Sequence, residues 1–163
     1  FYEAAGIDIS EFLGGDAAGV ASFAQQFVGE GHSRFTSYKT SDGKQFWGDH
    51  WCAMFVSYCF DQCGAIPSVL QRSFTAVPSE WAYYKQQGRA HTKYSYTPKP
   101  GDLAIFSNGG ESGIAHVGIV VNYSGSKVYT VEGNTGSTSW TNSRVKAGEY
   151  SLSSGWLYGF IEL

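Results

Sequence analysis

The chain has 163 residues, a net charge of −3, and 42% hydrophobic and 17% aromatic residues. That length makes one domain with room for a sizeable core, and the aromatic content excludes a disordered chain. Scattered Lys and Arg exclude a basic nucleic-acid surface, and no apolar run is long enough to span a bilayer, so neither a nucleic acid nor a membrane is expected as a partner.

The chain opens on Phe1, with no initiator methionine or signal-peptide pattern, and so reads as a fragment or processed form. Residues 1–15 read as a linker or tail remnant, with Ile7, Ile9, Phe12 and Leu13 available to dock on the body, and 16–163 as the domain proper. Asp16 is placed to cap a helix that carries Ala17, Val20, Ala21, Ala24, Phe27 and Val28 on one face and stops at Gly29. Glu30 to Gly48 is a polar and aromatic loop, expected to wall a cleft. Asp42 and Asp49 raise the question of a calcium loop, but Lys44, Gln45, Phe46 and Trp47 stand where oxygen ligands are needed, so no metal or other cofactor is expected.

The segment from Asp49 to Gly64 reads as a helix, with Asp49 as N-cap, Gly64 as the C′ residue, and Phe55, Val56, Cys59, Phe60 and Cys63 on one buried stripe. Cys52 then falls in the first turn, where unpaired N–H groups and the positive helix end stabilise a thiolate. The chain has three cysteines, an odd count. At least one is therefore free or paired outside the chain. Cys59 and Cys63 are one helical turn apart, poorly placed to bridge, and are expected as buried thiols. The Cys-x6-Cys-x3-Cys spacing is not that of a zinc site.

A short helix is expected over Pro67 to Phe74, and another over Pro78 to Gly88 with Ser79 as cap. From Pro98 the pattern turns to strands. A turn at Pro98-Lys99-Pro100-Gly101-Asp102 leads into Leu103–Phe106, and a Gly-rich loop follows at Ser107–Gly113. Then come a hairpin of His116–Tyr123 and Lys127–Glu132, a Ser/Thr/Asn-rich loop over Gly133–Lys146, and a closing strand over Trp156–Leu163.

The hairpin turn near residue 125 brings His116 and Glu132 to the same end, and an even register sum puts both on one face with the small Gly118 beside them. Asn134 lies two residues beyond Glu132. A Cys at a helix start, a strand His and a carboxylate or amide to orient it form the set that thiol acyl transfer needs. A lone strand His or a strand-end acid is more often structural, so the combination carries the reading. His50, two residues from Cys52, points to another side of the helix, and His32 and His91 lie in loops.

Trp51-Cys52-Ala53-Met54-Phe55-Val56, Pro98-Lys99-Pro100-Gly101-Asp102-Leu103, His116-Val117-Gly118-Ile119-Val120 and Val131-Glu132-Gly133-Asn134 together resemble the CHAP domain, the cysteine- and histidine-dependent amidohydrolase/peptidase family. The resemblance runs from about Val20 to Leu163. It implies an α+β, papain-like (NlpC-type) fold, with N-terminal helices on a central antiparallel sheet of about five to six strands. It implies cleavage of amide bonds in bacterial peptidoglycan, with Cys52 as nucleophile, His116 as base, Glu132 orienting the histidine and Asn134 as a supporting fourth member. Endopeptidase cleavage of stem or cross-bridge peptides is the favoured reaction. N-acetylmuramoyl-L-alanine amidase activity is the alternative, and an inactive wall-binding module or a transglutaminase or deamidase the readings of other classes. The backbone N–H of Cys52 is expected as one oxyanion donor, with Gln45 or Tyr38 as candidates for a second. Some phage-lysin relatives carry a calcium loop ahead of the cysteine, and Gly43–Trp47 departs from it. The expected setting is a secreted or envelope-associated monomer acting on a Gram-positive wall, joined to further catalytic or wall-binding domains. The sequence leaves open whether the parent is an endolysin, an autolysin or part of a conjugation machine.

Overall fold

The computed structural model describes residues 15–163, and the expected tail over residues 1–15, with its docking side chains, lies outside them apart from Gly15. Four α-helices are found among the described residues: α1 (Ala17–Ala24), α2 (Ser33–Thr36), α3 (Cys52–Gln62) and α4 (Val77–Lys85). The six strands are β1 (Ala90–Thr92), β2 (Leu103–Ser107), β3 (Ile114–Ser124), β4 (Lys127–Thr135), β5 (Arg144–Ser151) and β6 (Leu157–Ile161). They form one antiparallel sheet in the order β1-β6-β2-β3-β4-β5. This is the expected α+β arrangement, at the upper end of the expected strand count.

Strand alternation divides the core in two. Leu103, Ile105, Val117, Ile119 and Val131 join the cluster made by the helices. Ala104, Phe106, Val120 and Val128 face a second cluster that includes Leu157 and Phe160 and is fringed by Tyr96, Tyr150 and Trp156. Both faces of the sheet are therefore covered.

α1 starts as expected, with the Asp16 carboxylate accepting from the Gly19 N–H at 2.7 Å. Val28, expected on its buried face, lies beyond the helix and is 48% exposed. α3 departs further from expectation. Every residue from Cys52 to Phe60 is buried, so the helix is enclosed all round rather than along a stripe. On one side it meets the sheet. On the other it meets an aromatic layer in which Phe27 and Phe35 both pack edge-on against Phe55 and Tyr58. Each fully buried phenylalanine here contributes about 1.5–3 kcal/mol. The helix ends in a Schellman motif, with Gly64 at φ +65°, its N–H bonded to the Asp61 carbonyl and the Ala65 N–H to that of Phe60.

Residues 67–74 form turns, not the expected helix. α4 begins at Val77, so Ser79 sits inside it rather than capping it, and Pro78 occupies the first turn, where its missing N–H is no loss. Two edge strands were not expected. β1 has only three residues, and β5, charged and polar with Val145 its one buried residue, falls partly in the segment read as a loop.

Candidate active site

α3 has no side-chain cap. Asp49 is exposed and in the left-handed region at φ +103°, and the residue ahead of the helix is Trp51, so Cys52 is the first helical residue rather than the third after a cap. The Trp51 indole N–H donates to the Trp140 carbonyl at 3.0 Å, and its ring stacks on Phe35. These tertiary contacts fix the helix start in place of a cap. The first intrahelical bond runs from the Phe55 N–H to the Trp51 carbonyl, so the N–H groups of Cys52, Ala53 and Met54 precede it with no partner inside the helix. Cys52 is 3% exposed.

β3 and β4 pair as the expected hairpin, with Ile119 opposite Val131 and Val120 opposite Thr130. That register sets Gly118 against Glu132. A Cβ at Gly118 would lie 2.5 Å from the Glu132 Cγ, so the glycine makes the room that the carboxylate occupies. Glu132 and His116 meet as read from the sequence, His116 Nε2 to Glu132 Oε1 at 2.9 Å, with both side chains largely buried. The Thr130 hydroxyl and, at 2.7 Å, the Tyr150 phenol donate to the other carboxylate oxygen. Burial first, and then Glu132, push the Tyr150 phenol well above its usual range, so it stays a proton donor. The His116 ring rests against Phe106 and Trp156.

His116 and Glu132 issue from the sheet face opposite the body of α3, and the thiol and imidazole interact where that helix begins. Burial pulls the His116 pKa down, but the neighbouring Cys52 and Glu132 outweigh it and push it up to about 10. With Nε2 on the carboxylate, Nδ1 is the ring nitrogen left for sulfur. The imidazole is bonded to the carboxylate, and the helix-start thiol stands on its other side. Such a set can deprotonate a nucleophile, hold an imidazolium beside it and return the proton to a leaving group.

Asn134 is not drawn into this chain of bonds. It is half-buried at φ +58°, where β4–β5 pairing breaks between Glu132 and Thr135, and no side-chain hydrogen bond ties it to His116 or Glu132. Asparagine tolerates that backbone region better than most residues, which gives its identity a local reason. Neither candidate for a second oxyanion donor is at the site. The Gln45 amide donates to the carbonyls of Ser37, Tyr38 and Phe46, and the Tyr38 phenol donates to Asp61, near the far end of α3. Ten residues of helix separate Cys52 from Gln62, which also binds Tyr38, a span of about 15 Å. Thr130, Tyr150 and Gly148 belong to the site and went unread. Thr130 shares the parity of Glu132, a signal that was available, whereas Tyr150 and Gly148 lie on β5.

The remaining titratable candidates have other partners. Asp42 accepts from the Ser73 N–H and hydroxyl, His32 meets Thr36, and His91 meets Glu162. His50 is exposed beside Asp49. Burial pushes the Cys59 thiol far up and the Cys63 thiol to about 12, so both are inert at neutral pH.

No curated protein matches the chain. A family model described as the CHAP domain matches residues 42–134, a span that runs from the loop ahead of α3 through Cys52, His116, Glu132 and Asn134. The match takes in more than half of the sequence, and the chain belongs to the CHAP domain family.

Proposed function

We propose that this domain hydrolyses amide bonds of bacterial peptidoglycan, as an endopeptidase of stem or cross-bridge peptides. The observation that carries the proposal is the relay of Cys52, His116 and Glu132, with the imidazole pushed up to about 10 between its two partners. Membership of a family of amidases and peptidases supports the reaction class.

In this reading Cys52 Sγ attacks the carbonyl carbon and a tetrahedral oxyanion forms. The unpaired N–H of Cys52 at the helix start donates to that oxyanion. The carbon–nitrogen bond breaks as His116 passes its proton to the leaving amine, leaving a thioester. Water then gives a proton to His116, its oxygen adds to the thioester carbonyl, and the carbon–sulfur bond breaks to free the acid and the thiolate. Glu132 keeps the imidazole oriented and balances its charge, with Thr130 and Tyr150 holding the carboxylate. Asn134 supports the site through the backbone turn that follows Glu132. The substrate implies action outside the cytoplasm, on a wall such as that of Gram-positive cells. A domain of net charge −3 has no bulk attraction for an anionic wall, which favours operation beside wall-binding modules.

Digestion of purified peptidoglycan by wild type and Cys52→Ser, with mass spectrometry of the released fragments, tests the proposal. New amines within the stem or bridge, absent with Cys52→Ser, are the expected result. Release at the muramic lactyl group would make it an N-acetylmuramoyl-L-alanine amidase. No release by wild type would overturn hydrolysis and favour a wall-binding module.

A further inference from the structure

Trp156, the residue ahead of β6, reaches the candidate site across two neighbouring strands. Phe106 of β2 pairs with His116 on one side and with Leu157 on the other. The Ser107 N–H donates to the Trp156 carbonyl at 2.9 Å, which fixes the Trp156 backbone beside the end of β2. The β2–β6 ladder shifts register between Ile105 and Phe106, and such irregularities re-aim the side chains around them. The indole stacks on Phe106, with ring centroids 5.5 Å apart and planes at 28°, and on His116, at 6.0 Å and 22°.

These contacts set an aromatic face against the one imidazole of the site. The titratable groups facing His116 are Cys52 from α3 and Glu132 from β4, with Tyr150 from β5 behind the carboxylate. From β2 and the approach to β6 it meets the rings of Phe106 and Trp156. Phe106 is tilted at 50° to the imidazole, so Trp156 is the ring that presents its face. The face of an indole is electron-rich and attracts an imidazolium more strongly than a neutral imidazole. That attraction reaches to about 6 Å from the ring centroid and grows as water is excluded. The His116 side chain is 12% exposed, so little water screens it. Trp156 itself stands at the fringe of the second core cluster, only partly buried, so its ring covers the imidazole rather than filling the core.

We infer that Trp156 is a positioning residue for the thiol chemistry: its indole face stabilises the protonated form of His116 and holds the ring in the plane in which it meets Glu132. The consequence for rate rests on the proposed hydrolysis, in which the protonated imidazole stands beside the thiolate and passes its proton to the leaving amine. The contact itself is independent of which amide is cut.

The test is an NMR titration of the His116 ring in wild type, Trp156→Leu and Trp156→Phe. Leucine keeps an apolar side chain over the imidazole, so burial continues to pull His116 down while the aromatic face is gone. In Trp156→Leu, His116 should titrate at a pH lower by about 0.5–1, and Trp156→Phe should recover most of that shift. In digestion of peptidoglycan the alkaline limb of the pH–rate profile should move down with it, with kcat reduced about three- to tenfold and KM near that of wild type. Lower melting temperatures in both variants with His116 unmoved would make the contact packing alone and overturn the inference, as would equal shifts in the two. Fluorinated tryptophan placed at position 156 keeps the shape of the indole and withdraws electrons from its face. His116 should then fall stepwise with the number of fluorines, and a flat series overturns the inference even where Trp156→Leu does not fold. The two proposals fail separately, because His116 titrates without substrate. A shifted His116 with no turnover by wild type would sink hydrolysis and leave Trp156 in its role. Turnover with His116 unmoved would do the reverse.

Discussion

Glu132 reaches His116 with one oxygen while two hydroxyl donors hold the other, and glycines stand where a larger residue would displace it. A Cβ at Gly148 would come within 2.5 Å of both Glu132 Oε2 and Thr130 Oγ1, matching the closeness at Gly118. The carboxylate is hydrogen-bonded to the imidazole, and its charge helps keep His116 protonated. The raised His116 makes the protonated imidazole a stabilising feature of the fold. That stability is fully present below about 6.5, the ordinary histidine value, and is lost as pH rises through about 10. Glu132→Gln removes the charge but keeps the shape. His116, followed by NMR titration of its ring proton, should then fall below 10, because burial continues to pull it down and only Cys52 still holds it up. The kcat should drop about 10²–10⁴-fold, and the alkaline limb of the pH–rate profile should move to lower pH with it. A kcat near that of wild type with His116 still near 10 would remove Glu132 from the mechanism. Cys52, His116 and Glu132 were legible in the sequence because two simple periodicities, a helix start and a strand parity, bring them together. Tyr150 was not, because it sits on a strand whose residues give no apolar alternation. The interaction that fixes the start of α3, the Trp51 indole on the Trp140 carbonyl, joins residues 89 apart and leaves no local trace.

At the scale of elements, the position of Cys52 depends on how closely α3 lies on β4. A Cβ at Gly133 would lie 2.6 Å from the Phe55 Cβ and 3.0 Å from the Trp51 ring, so helix and strand approach to backbone contact at the residue next to Glu132. Gly133→Ala pushes α3 away and should destabilise the domain by about 1–3 kcal/mol, read as a lower urea midpoint. It should also slow alkylation of Cys52, since the thiol moves off His116 while both remain in the chain. A normal alkylation rate at reduced stability would show that the contact serves packing alone. The helix ends and the hairpin could be read because each has a local cause: Asp16 as cap, Gly64 in the left-handed region, apolar residues on both strands of the hairpin. Asp49 was the better cap by composition, and tertiary packing of Trp51 overrode it. β1 and β5 escaped for the opposite reason. As edge strands they carry charge and polarity on surfaces that natural sheets keep from pairing with other chains, so their sequences resemble loops.

Across the whole molecule, stability and chemistry are built at different ends of the sheet. Asp102, 1% exposed, accepts from the Tyr96 phenol at 2.7 Å, the Lys99 N–H at 2.8 Å and the Leu163 N–H at 3.0 Å. One carboxylate thus ties together the segment after β1, the turn before β2 and the segment after β6. It explains the Pro-Lys-Pro-Gly-Asp run as architecture: Gly101, at φ +95°, lies so close to α1 that a Cβ there would meet the Ala17 carbonyl at 2.2 Å. β2 begins beside this staple, where Leu103 pairs with Ile119, and near its other end Phe106 pairs with His116. Leu103 and Phe106 are three residue steps apart along the strand, about 10 Å. Asp102→Ala leaves three partly buried donors without their acceptor, and should cost about 3 kcal/mol, roughly 1 kcal/mol for each. The melting temperature should fall by well over 5 °C, since about 1 kcal/mol corresponds to 2–4 °C in a domain of this size. Measured well below that melting point, Cys52 alkylation and kcat should stay within about twofold of wild type, because distant sites with no shared partners act independently. If activity instead fell in step with stability at low temperature, the sheet would be transmitting strain from the staple to His116, and the two ends would have to be treated as one coupled unit.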